Sequence, residues 1–464
     1  MPYPFVSIII LNYNGANYLP ACLDALRVQT YPADCFEVIV SDNGSSDGSL
    51  ELLYANYPWV QVKANGKNMG FASGNNVAFE RARGEYIVLL NNDTAPTPAW
   101  IEQMVAVAEA DPKIGMVTGH LQLFYPQLEV ELTTETFVPE GDGRTLGILV
   151  SSVDSDAPHG VVQYLEGFYG RESYQDYGNF RWMKGCALLG VPVPSGDGEW
   201  QLILELAAPR PDNRPVSLKI LARGNVLAEP VLVGTKLQTV NVHMPADIRQ
   251  AARPVEQNTG SLIFKNGGGR DRGTYVRNFE AFYETDKGRY DVVEEVFSGC
   301  GASLLLRRAM LGQVGLLDDD FFMYYEDTDL SWRARLAGWK VVYAPQAVVL
   351  HIHCGTTVEW SPFFIFLTER NRLAMVFKNG PTWQVLHVWG GYLLKVLRLG
   401  FEFLKALYRR RVNWRALGGE TRIHLRVSGS LLVRLPSLLR RRYQIQRIAK
   451  IKASFIENWF AEEE

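Results

Sequence analysis

Between Phe321 and Arg333 the chain reads Phe-Phe-Met-Tyr-Tyr-Glu-Asp-Thr-Asp-Leu-Ser-Trp-Arg, so Glu326, Asp327 and Asp329 fall within four residues. Carboxylates this close have two common uses. In the first turn of a helix they are stabilised by unpaired backbone N–H groups and the macrodipole. Beside a substrate hydroxyl, one of them can take a proton. A second acidic site favours the chemical use. Asn91-Asn92-Asp93 directly follows Tyr86-Ile87-Val88-Leu89-Leu90, an apolar run of buried-strand character. An acid released at the carboxyl end of a parallel strand sits where open α/β sheets bind ligands. Two such sites on one sheet suggest a metal ligand, Asp93, and a general base facing one substrate. A departing nucleotide diphosphate needs a divalent cation, and hard cations take carboxylate, phosphate and water oxygens.

Two further motifs point to the same edge. Ser41-Asp42-Asn43-Gly44-Ser45-Ser46-Asp47-Gly48-Ser49 is rich in turn formers; at a strand end, Asp42 could accept a hydrogen bond from a base or ribose. Asn68-Met69-Gly70-Phe71-Ala72-Ser73-Gly74-Asn75-Asn76 leads into a helix, where glycines permit close backbone approach to a phosphate. No Gly-x-Gly-x-x-Gly follows the first strand, which argues against a dinucleotide cofactor.

These residues need a parallel sheet to hold them. Strand-like runs at Val6–Leu11, Phe36–Ser41, Val60–Ala64 and Tyr86–Leu90 alternate with helical patterns at Ala16–Gln29, Leu50–Tyr57, Phe71–Arg83 and Ala99–Ala110. That alternation predicts βαβ units and a doubly wound sheet. From Gln127 to Arg253 the pattern changes to short β-like runs separated by Pro, Gly, Asp and Asn, the grammar of a β-sandwich. The expected organisation is an α/β domain split between 1–126 and 254–380, a β-sandwich inserted at 127–253, and a basic helical region at 381–464. The α/β pattern is expected to resume near Gly260-Ser261-Leu262-Ile263-Phe264. Gly167-Phe168-Tyr169-Gly170 and Phe180-Arg181-Trp182 in the insert supply aromatics that either fill its core or stack on sugar faces.

With 47% hydrophobic and 21% charged residues, the composition is that of a globular protein rather than a disordered one. The net charge of −3 hides an asymmetry: residues 377–464 carry +11, leaving −14 on the first 376. A basic tail on an acidic body suggests an anionic surface as partner. Lys395, Arg398, Glu402 and Lys405 lie on one face of a helix whose other positions include Val396, Leu397, Leu399, Phe401, Phe403 and Leu404; Arg409-Arg410-Arg411 and Arg440-Arg441-Arg442 follow. Such a helix can lie in an anionic bilayer surface. Its apolar face is too broad for nucleic-acid binding, and no nucleic-acid motif accompanies it. Five scattered cysteines and an N-terminus without a basic, cleavable leader point to a reducing, cytoplasmic compartment.

Taken together, the motifs resemble those of a family 2 glycosyltransferase with the GT-A fold, of the bacterial rhamnosyl- and galactofuranosyltransferase-like kind. The resemblance is carried by Ser7-Ile8-Ile9-Ile10-Leu11-Asn12-Tyr13-Asn14, the Asp42–Ser49 loop, Asn68–Asn76, Asn91-Asn92-Asp93, Ser298-Gly299-Cys300-Gly301-Ala302, Glu326-Asp327-Thr328-Asp329 and His351 after the last strand. It covers residues 1–125 and about 254–375. It implies an α/β fold with a doubly wound, Rossmann-like mixed sheet. It also implies a nucleotide-sugar site at Asn12, Asn14, Asp42, Asn43, Asn68, Gly70, Asn75, Asn91 and Asn92. Asp93 and His351 would hold Mg²⁺ or Mn²⁺, with His353 a rival to His351. Asp327 would be the base, paired with Glu326, and Asp329, Gly299, Cys300 and Gly301 would lie on the acceptor side. Asn91 stands where the family's first metal-site acid is placed.

The implied reaction is a single inverting displacement from a nucleotide-diphosphate sugar to a glycan or lipid-linked acceptor for cell-surface polysaccharide. It would take place at the cytoplasmic face of the membrane, to which the protein attaches peripherally. A nucleotidyltransferase on a similar sheet should carry a basic phosphate-clamping loop after the first strand, and Asn12-Tyr13-Asn14-Gly15 is not one. A glycan-binding scaffold without activity is the other alternative.

Overall fold

The computed structural model of the chain describes residues 3–277, 280–352, 361–409 and 414–462. His353 lies outside the described residues. Two units form: 1–121 with 258–272 and 290–464, and 122–257 with 273–289.

The first unit is built on a mixed sheet. Strands β1 (Val6–Asn12), β2 (Phe36–Asp42), β3 (Gln61–Ala64) and β4 (Tyr86–Asn91) run parallel. They are linked by helices α1 (Leu19–Arg27), α2 (Ser49–Asn56) and α3 (Gly70–Phe79). A short β5 (Thr94–Pro96), helix α4 (Trp100–Glu109) and β6 (Ile114–Leu123) follow. The sheet order is β3-β2-β1-β4, then the Ser303–Arg307 strand, β6, the Lys340–His351 strand and Glu294–Glu295. The Ser303–Arg307 strand runs antiparallel to both β4 and β6.

Because side chains alternate across a strand, the sheet has a core on each face. Ile8 and Ile10 pack with Leu19 and Leu23 of α1 and Trp100 and Met104 of α4. Ile9 and Leu89 point the other way, to Ala72 and Phe79 of α3 and to Leu330 and Ala334 of a later helix. Burial on both faces explains why these strands read as continuous apolar runs.

The second unit is antiparallel. The 15-residue strand Gly178–Pro192 pairs along Cys186–Pro192 with the Gln127–Thr134 strand, and at Arg181 and Trp182 with the Leu149–Ser155 strand. It therefore joins two groups of strands. Leu128, Val130 and Leu132 share one core with Leu202, Leu204 and Leu206 and with Leu218 and Ile220. Phe180 is buried against Leu149 and Ala207, and Phe168 packs on the main core edge-on to Tyr164. The hairpin Thr274–Arg277 and Glu280–Tyr283 also belongs to this unit, so its boundaries are wider than 127–253.

One expectation is corrected here. Ser261–Phe264 does not rejoin the main sheet. It pairs with Gly269–Asp271 and with Phe460–Ala461, and the α/β pattern returns only with the Ser303–Arg307 strand and α5 (Arg308–Val314). The basic helical region from 381 onward falls within the first unit. Helices α6 (Glu326–Leu336), α7 (Pro362–Asn379), α8 (Thr382–Arg409) and α9 (Trp414–Ile448) share a core in which Val388, Tyr392, Val427, Leu431 and Leu438 meet Trp332 and Phe321. Those apolar residues recur at helical spacing, and burying them ties the tail to the α/β unit. Of the arginines expected to face a bilayer, Arg441 pairs with Asp318 and Asp320. Arg442 donates to the carbonyls of Phe377 and Gly380, and Arg440 is exposed. Among the described residues, no helix is long and apolar enough to cross a membrane.

Candidate functional site

Strand register brings the motifs to one edge. Asn12 pairs with Asp42 and Leu11 with Asn91, so β1, β2 and β4 end level and release their loops together. The neighbouring strand is antiparallel, with Ser303 opposite Leu90, so its entry loop, Gly299–Ala302, arrives at that same edge. His351 pairs with Thr94, which sets it beside Asp93 although the two are far apart in the chain.

A cleft of about 510 Å³ opens there. Asn43, Asn68, Gly70, Asn91, Asn92 and Asp93 line it. So do Tyr13, Phe71, Phe322, Met323, Tyr324 and Phe364; the first five lie within the motifs but were not named as site residues, and Phe364 lies outside them. Tyr13 sits in the same loop as Asn12 and Asn14 and could have been inferred from that. Phe364 comes from α7 and has no local signal.

Asn12 is the hub of the loop network. Its Nδ2 donates to Asp42 Oδ1 (2.9 Å) and Ser45 Oγ (3.1 Å), and its Oδ1 accepts from Asn92 Nδ2 (2.8 Å). Asn14 Oδ1 accepts from the Ser46 amide (2.9 Å). Asp42 is fully buried and accepts from Asn12, from the Ser45 hydroxyl and from the amides of Gly44 and Ser45. Asp42, expected to meet the base, has its oxygens taken up in shaping the loop. Asn75 is likewise turned inward, donating to the Phe71 carbonyl. Gly70 (φ +81°) is required by a close approach, since a Cβ there would lie 2.6 Å from the Phe322 carbonyl oxygen. That carbonyl accepts from the amides of Phe71 and Ala72, so the first turn of α3 is occupied by the chain rather than open to a phosphate.

Gly15 also belongs to the network. A Cβ at 15 would lie 2.1 Å from Asn92 Nδ2 and 2.4 Å from Asn12 Oδ1, so Gly15→Ala must break the bond between those side chains. Overpacking of this kind costs about 1–3 kcal/mol. The expected result is a lower urea midpoint at unchanged m-value; an unchanged midpoint would mean that the loop adjusts freely.

Asp93 is nearly buried, and its Oδ1 accepts no hydrogen bond. His351 Nε2 lies 3.2 Å away, within ion-pair reach but not in hydrogen-bond geometry, and 3.4 Å from Asn91 Nδ2. A buried carboxylate oxygen without a donor is costly. Beside an imidazole nitrogen it suits a divalent cation whose other ligands come from phosphate and water. Among the described residues, no third His, Cys, Asp or Glu joins them.

The acid pair begins α6. Phe322, Tyr324 and Tyr325 all have positive φ (65°, 71° and 68°), costing about 1–3 kcal/mol each. Side chains of α7 hold this segment. Asn371 Nδ2 donates to the carbonyls of Phe321, Met323 and Tyr324 at 2.8–2.9 Å, and Arg370 donates to those of Asp320 and Phe321. Asp327 Oδ2 accepts from the Gly301 amide (3.0 Å), and Gly301 in turn abuts the Phe71 ring of the cleft wall. Burial raises both carboxyls of the pair, and Glu326 stands well above the usual range because the Asp327 charge adds to its desolvation.

Three residues expected on the acceptor side are engaged elsewhere. Asp329 is fully buried between Arg333 (3.0 Å) and Lys378 (2.9 Å) and accepts from Asn379. Burial opposes its charge, yet these cations outweigh it and hold the carboxyl below its ordinary value. Gly299 packs against Leu304 and Thr118, and burial pushes the Cys300 thiol well up. None of the three lines the cleft, nor do Glu326 and Asp327; Asp327 is tied to its wall through Gly301, which abuts the Phe71 ring. A larger cleft of about 1000 Å³ lies among α3, α5 and α9, but its charged wall residues, such as Lys378, Asp318 and Arg441, pair with one another.

Residues 7–144 match the family model described as glycosyl transferase family 2. The chain is 32% identical over 126 residues to glycosyltransferase AglE of Haloferax volcanii, covering 26% of this chain and 41% of that one. It is 55% identical over 80 residues to an N-acetylglucosaminyl-diphospho-decaprenol L-rhamnosyltransferase of Mycobacterium tuberculosis, covering 15% and 26%. The matches thus span less than half the length of these relatives. Among solved structures, GalNAc-T7 with UDP, GalNAc and Mn²⁺ aligns with a TM-score of 0.44 at 12% identity, over 81% of this chain and 48% of that one.

Proposed function

We propose that this chain, a family 2 glycosyltransferase through its residues 7–144, moves a sugar with inversion from a nucleotide-diphosphate donor to a glycan or lipid-linked acceptor. The observation that carries this reading is the donorless Asp93 oxygen beside His351, at the sheet edge that also receives the loop holding Asp327. Asp93 and His351 would hold Mg²⁺ or Mn²⁺, which when bound neutralises the charge of the departing diphosphate. Asn12, Asn14 and Asp42 shape the loop under the nucleotide, and Asn43, Asn68, Asn91 and Asn92 line the donor cleft. Asp327 takes the acceptor hydroxyl proton as that oxygen bonds to the anomeric carbon and the bond to the diphosphate breaks. The match to a rhamnosyltransferase makes a rhamnose donor the first to try.

A nucleotide-sugar panel with Mn²⁺, Mg²⁺ or chelator tests this. The expected result is metal-dependent turnover of one donor, lost in Asp93→Asn with the fold intact. Absence of both turnover and metal-dependent nucleotide binding would overturn the enzyme reading in favour of a glycan-binding scaffold.

Attachment to the cytoplasmic membrane face is part of the same proposal. Leu386, Leu393, Leu397, Phe401 and Leu404 of α8 are each more than half exposed and recur at helical spacing, forming an unburied apolar stripe. Such a stripe with basic neighbours suits an anionic bilayer. Leu397→Glu with Phe401→Glu should abolish co-sedimentation with phosphatidylglycerol vesicles. Unchanged co-sedimentation would remove α8 from the membrane reading.

A further inference from the structure

Phe322, Met323 and Tyr324 line the cleft at the sheet edge, and Glu326 and Asp327 follow within a few residues. The backbone between cleft and acid pair is therefore short, and it is strained: Phe322, Tyr324 and Tyr325 all have positive φ. Bulky residues stay in that region only where surrounding contacts over-determine it.

One buried side chain of α7 supplies most of those contacts. Asn371 is fully buried. Its Nδ2 shares two protons among the carbonyls of Phe321 (2.9 Å), Met323 (2.8 Å) and Tyr324 (2.8 Å). Its Oδ1 accepts from Arg370 Nε at 2.9 Å, which fixes the orientation of the amide. The carbonyl of Phe322 accepts instead from the amides of Phe71 and Ala72 in the first turn of α3. The segment is thus pinned to α7 by three carbonyls and to α3 by the fourth, and Gly70 and Phe71 of α3 are themselves cleft wall.

The same helix grips the far side of the pair. Lys378 Nζ is 2.9 Å from Asp329 Oδ1, and Asn379 Nδ2 donates to that oxygen at 2.7 Å. Glu326 and Asp327 therefore lie between two anchors on α7.

We infer that Asn371 is a positioning residue for sugar transfer: by holding the carbonyls of residues 321–324 it keeps the Asp327 carboxylate in register with the donor cleft. Asn371 does not itself line that cleft. The inference rests on the reading of Asp327 as base and adds what sets the place of that base. The titratable groups facing Asp327 are Tyr325 and Glu326 on its own segment and Cys300 on the neighbouring loop. Burial is what raises the Asp327 carboxyl, and the segment that Asn371 fixes is part of that cover.

The test is Asn371→Asp in the full chain, assayed with the nucleotide sugar turned over in the donor panel. Aspartate keeps the size and the bond from Arg370 but sets a carboxylate oxygen against three carbonyls. Transfer kcat should fall about 10²-fold, the scale of a misplaced reacting group. Donor KM and metal-dependent nucleotide binding should hold, because Asn43, Asn68, Asn91, Asn92 and Asp93 reach the cleft from other segments. The acid limb of kcat/KM should move to lower pH, since a loosened segment admits water and removes the burial that raises Asp327. Ile101→Val, a core change on α4, is the stability control: it should lower the urea midpoint and leave kcat and the acid limb in place. Arg370→Lys removes the bond that orients the amide and should move kcat and the limb in the same direction by less. It carries the test if circular dichroism shows Asn371→Asp unfolded.

The inference is overturned if the folded variant transfers sugar as fast as wild type, if its acid limb stays in place, or if Ile101→Val moves the limb equally. A rise in donor KM that accounts for the whole loss would place Asn371 in donor binding and likewise overturn it. Asp327→Asn is measured beside it. If the limb vanishes there while Asn371→Asp changes nothing, only this inference fails. If the limb persists in Asp327→Asn, or if no donor is turned over at all, the reading beneath it fails and takes the inference with it.

Discussion

Asp327→Asn should leave a folded protein that still binds its donor but transfers sugar about 10²–10⁴-fold more slowly, the range that general-base catalysis contributes. Asparagine has nearly the same shape but one acceptor oxygen, so it keeps only one of the two amide bonds that fix this side chain, from Gly301 or from Thr328, while basicity is lost. The pH profile separates a base from a merely structural carboxylate. Burial raises the Asp327 carboxyl, and as the proposed base it would act in its ionised form. Activity is therefore lost as pH falls through this raised value, and the acid limb of kcat/KM begins above the ordinary aspartate range of about 3.9. In Asp327→Asn that limb should vanish. Near-normal transfer by the variant, with donor binding intact, would remove Asp327 from the mechanism.

Lys378→Met should be the most destabilising single change proposed, costing about 3–5 kcal/mol. The Lys378 ammonium is almost wholly buried and sits between Asp318 and Asp329, which are equally buried. Burial draws its pKa down to about 8 even with those partners. Methionine fills similar volume but leaves two carboxylates with one cation fewer, and an uncompensated buried charge is the costly outcome. Arg441 and Arg333 still reach these carboxylates, which places the effect towards the lower end. Chemical denaturation would report it as a lower midpoint. Adding Asp329→Asn should cost less than the sum of the two single changes, because the residues share one network. Additive costs, or a single change below about 1 kcal/mol, would show that this cluster does not hold the segment leading into α6.

Much of the fold was legible in one dimension because its signals are local. Val6–Asn12, Phe36–Asp42 and Tyr86–Asn91 are buried on both faces, so they read as apolar runs, and polar residues mark where each leaves the core. The motifs at Asn12, Asp42, Asn91–Asp93 and Glu326–Asp327 were visible for the same reason. The tail was harder. Its helices were evident, but their packing against Trp332 and Phe321 was not, because amphipathicity shows that a face is apolar without naming what covers it.

Residue type and spacing by themselves determined the α/β class, the parallel order of the first strands, and the two acidic sites at strand and helix ends. Tertiary structure alone decided which polar atoms remain available. Asp42 and Asp329 are acids of the kind a site needs, but one is consumed by its own loop and the other by Lys378 and Arg333. Asp93, similar in sequence terms, keeps an oxygen without a hydrogen-bond donor. Partners drawn from distant segments set that difference: His351 reaches Asp93 only through the pairing of β5 with the Lys340–His351 strand, and Asn371 reaches the Phe321–Tyr324 carbonyls only through the docking of α7. Sequence spacing carries local periodicity, whereas the satisfaction of a buried polar group depends on every chain segment packed around it.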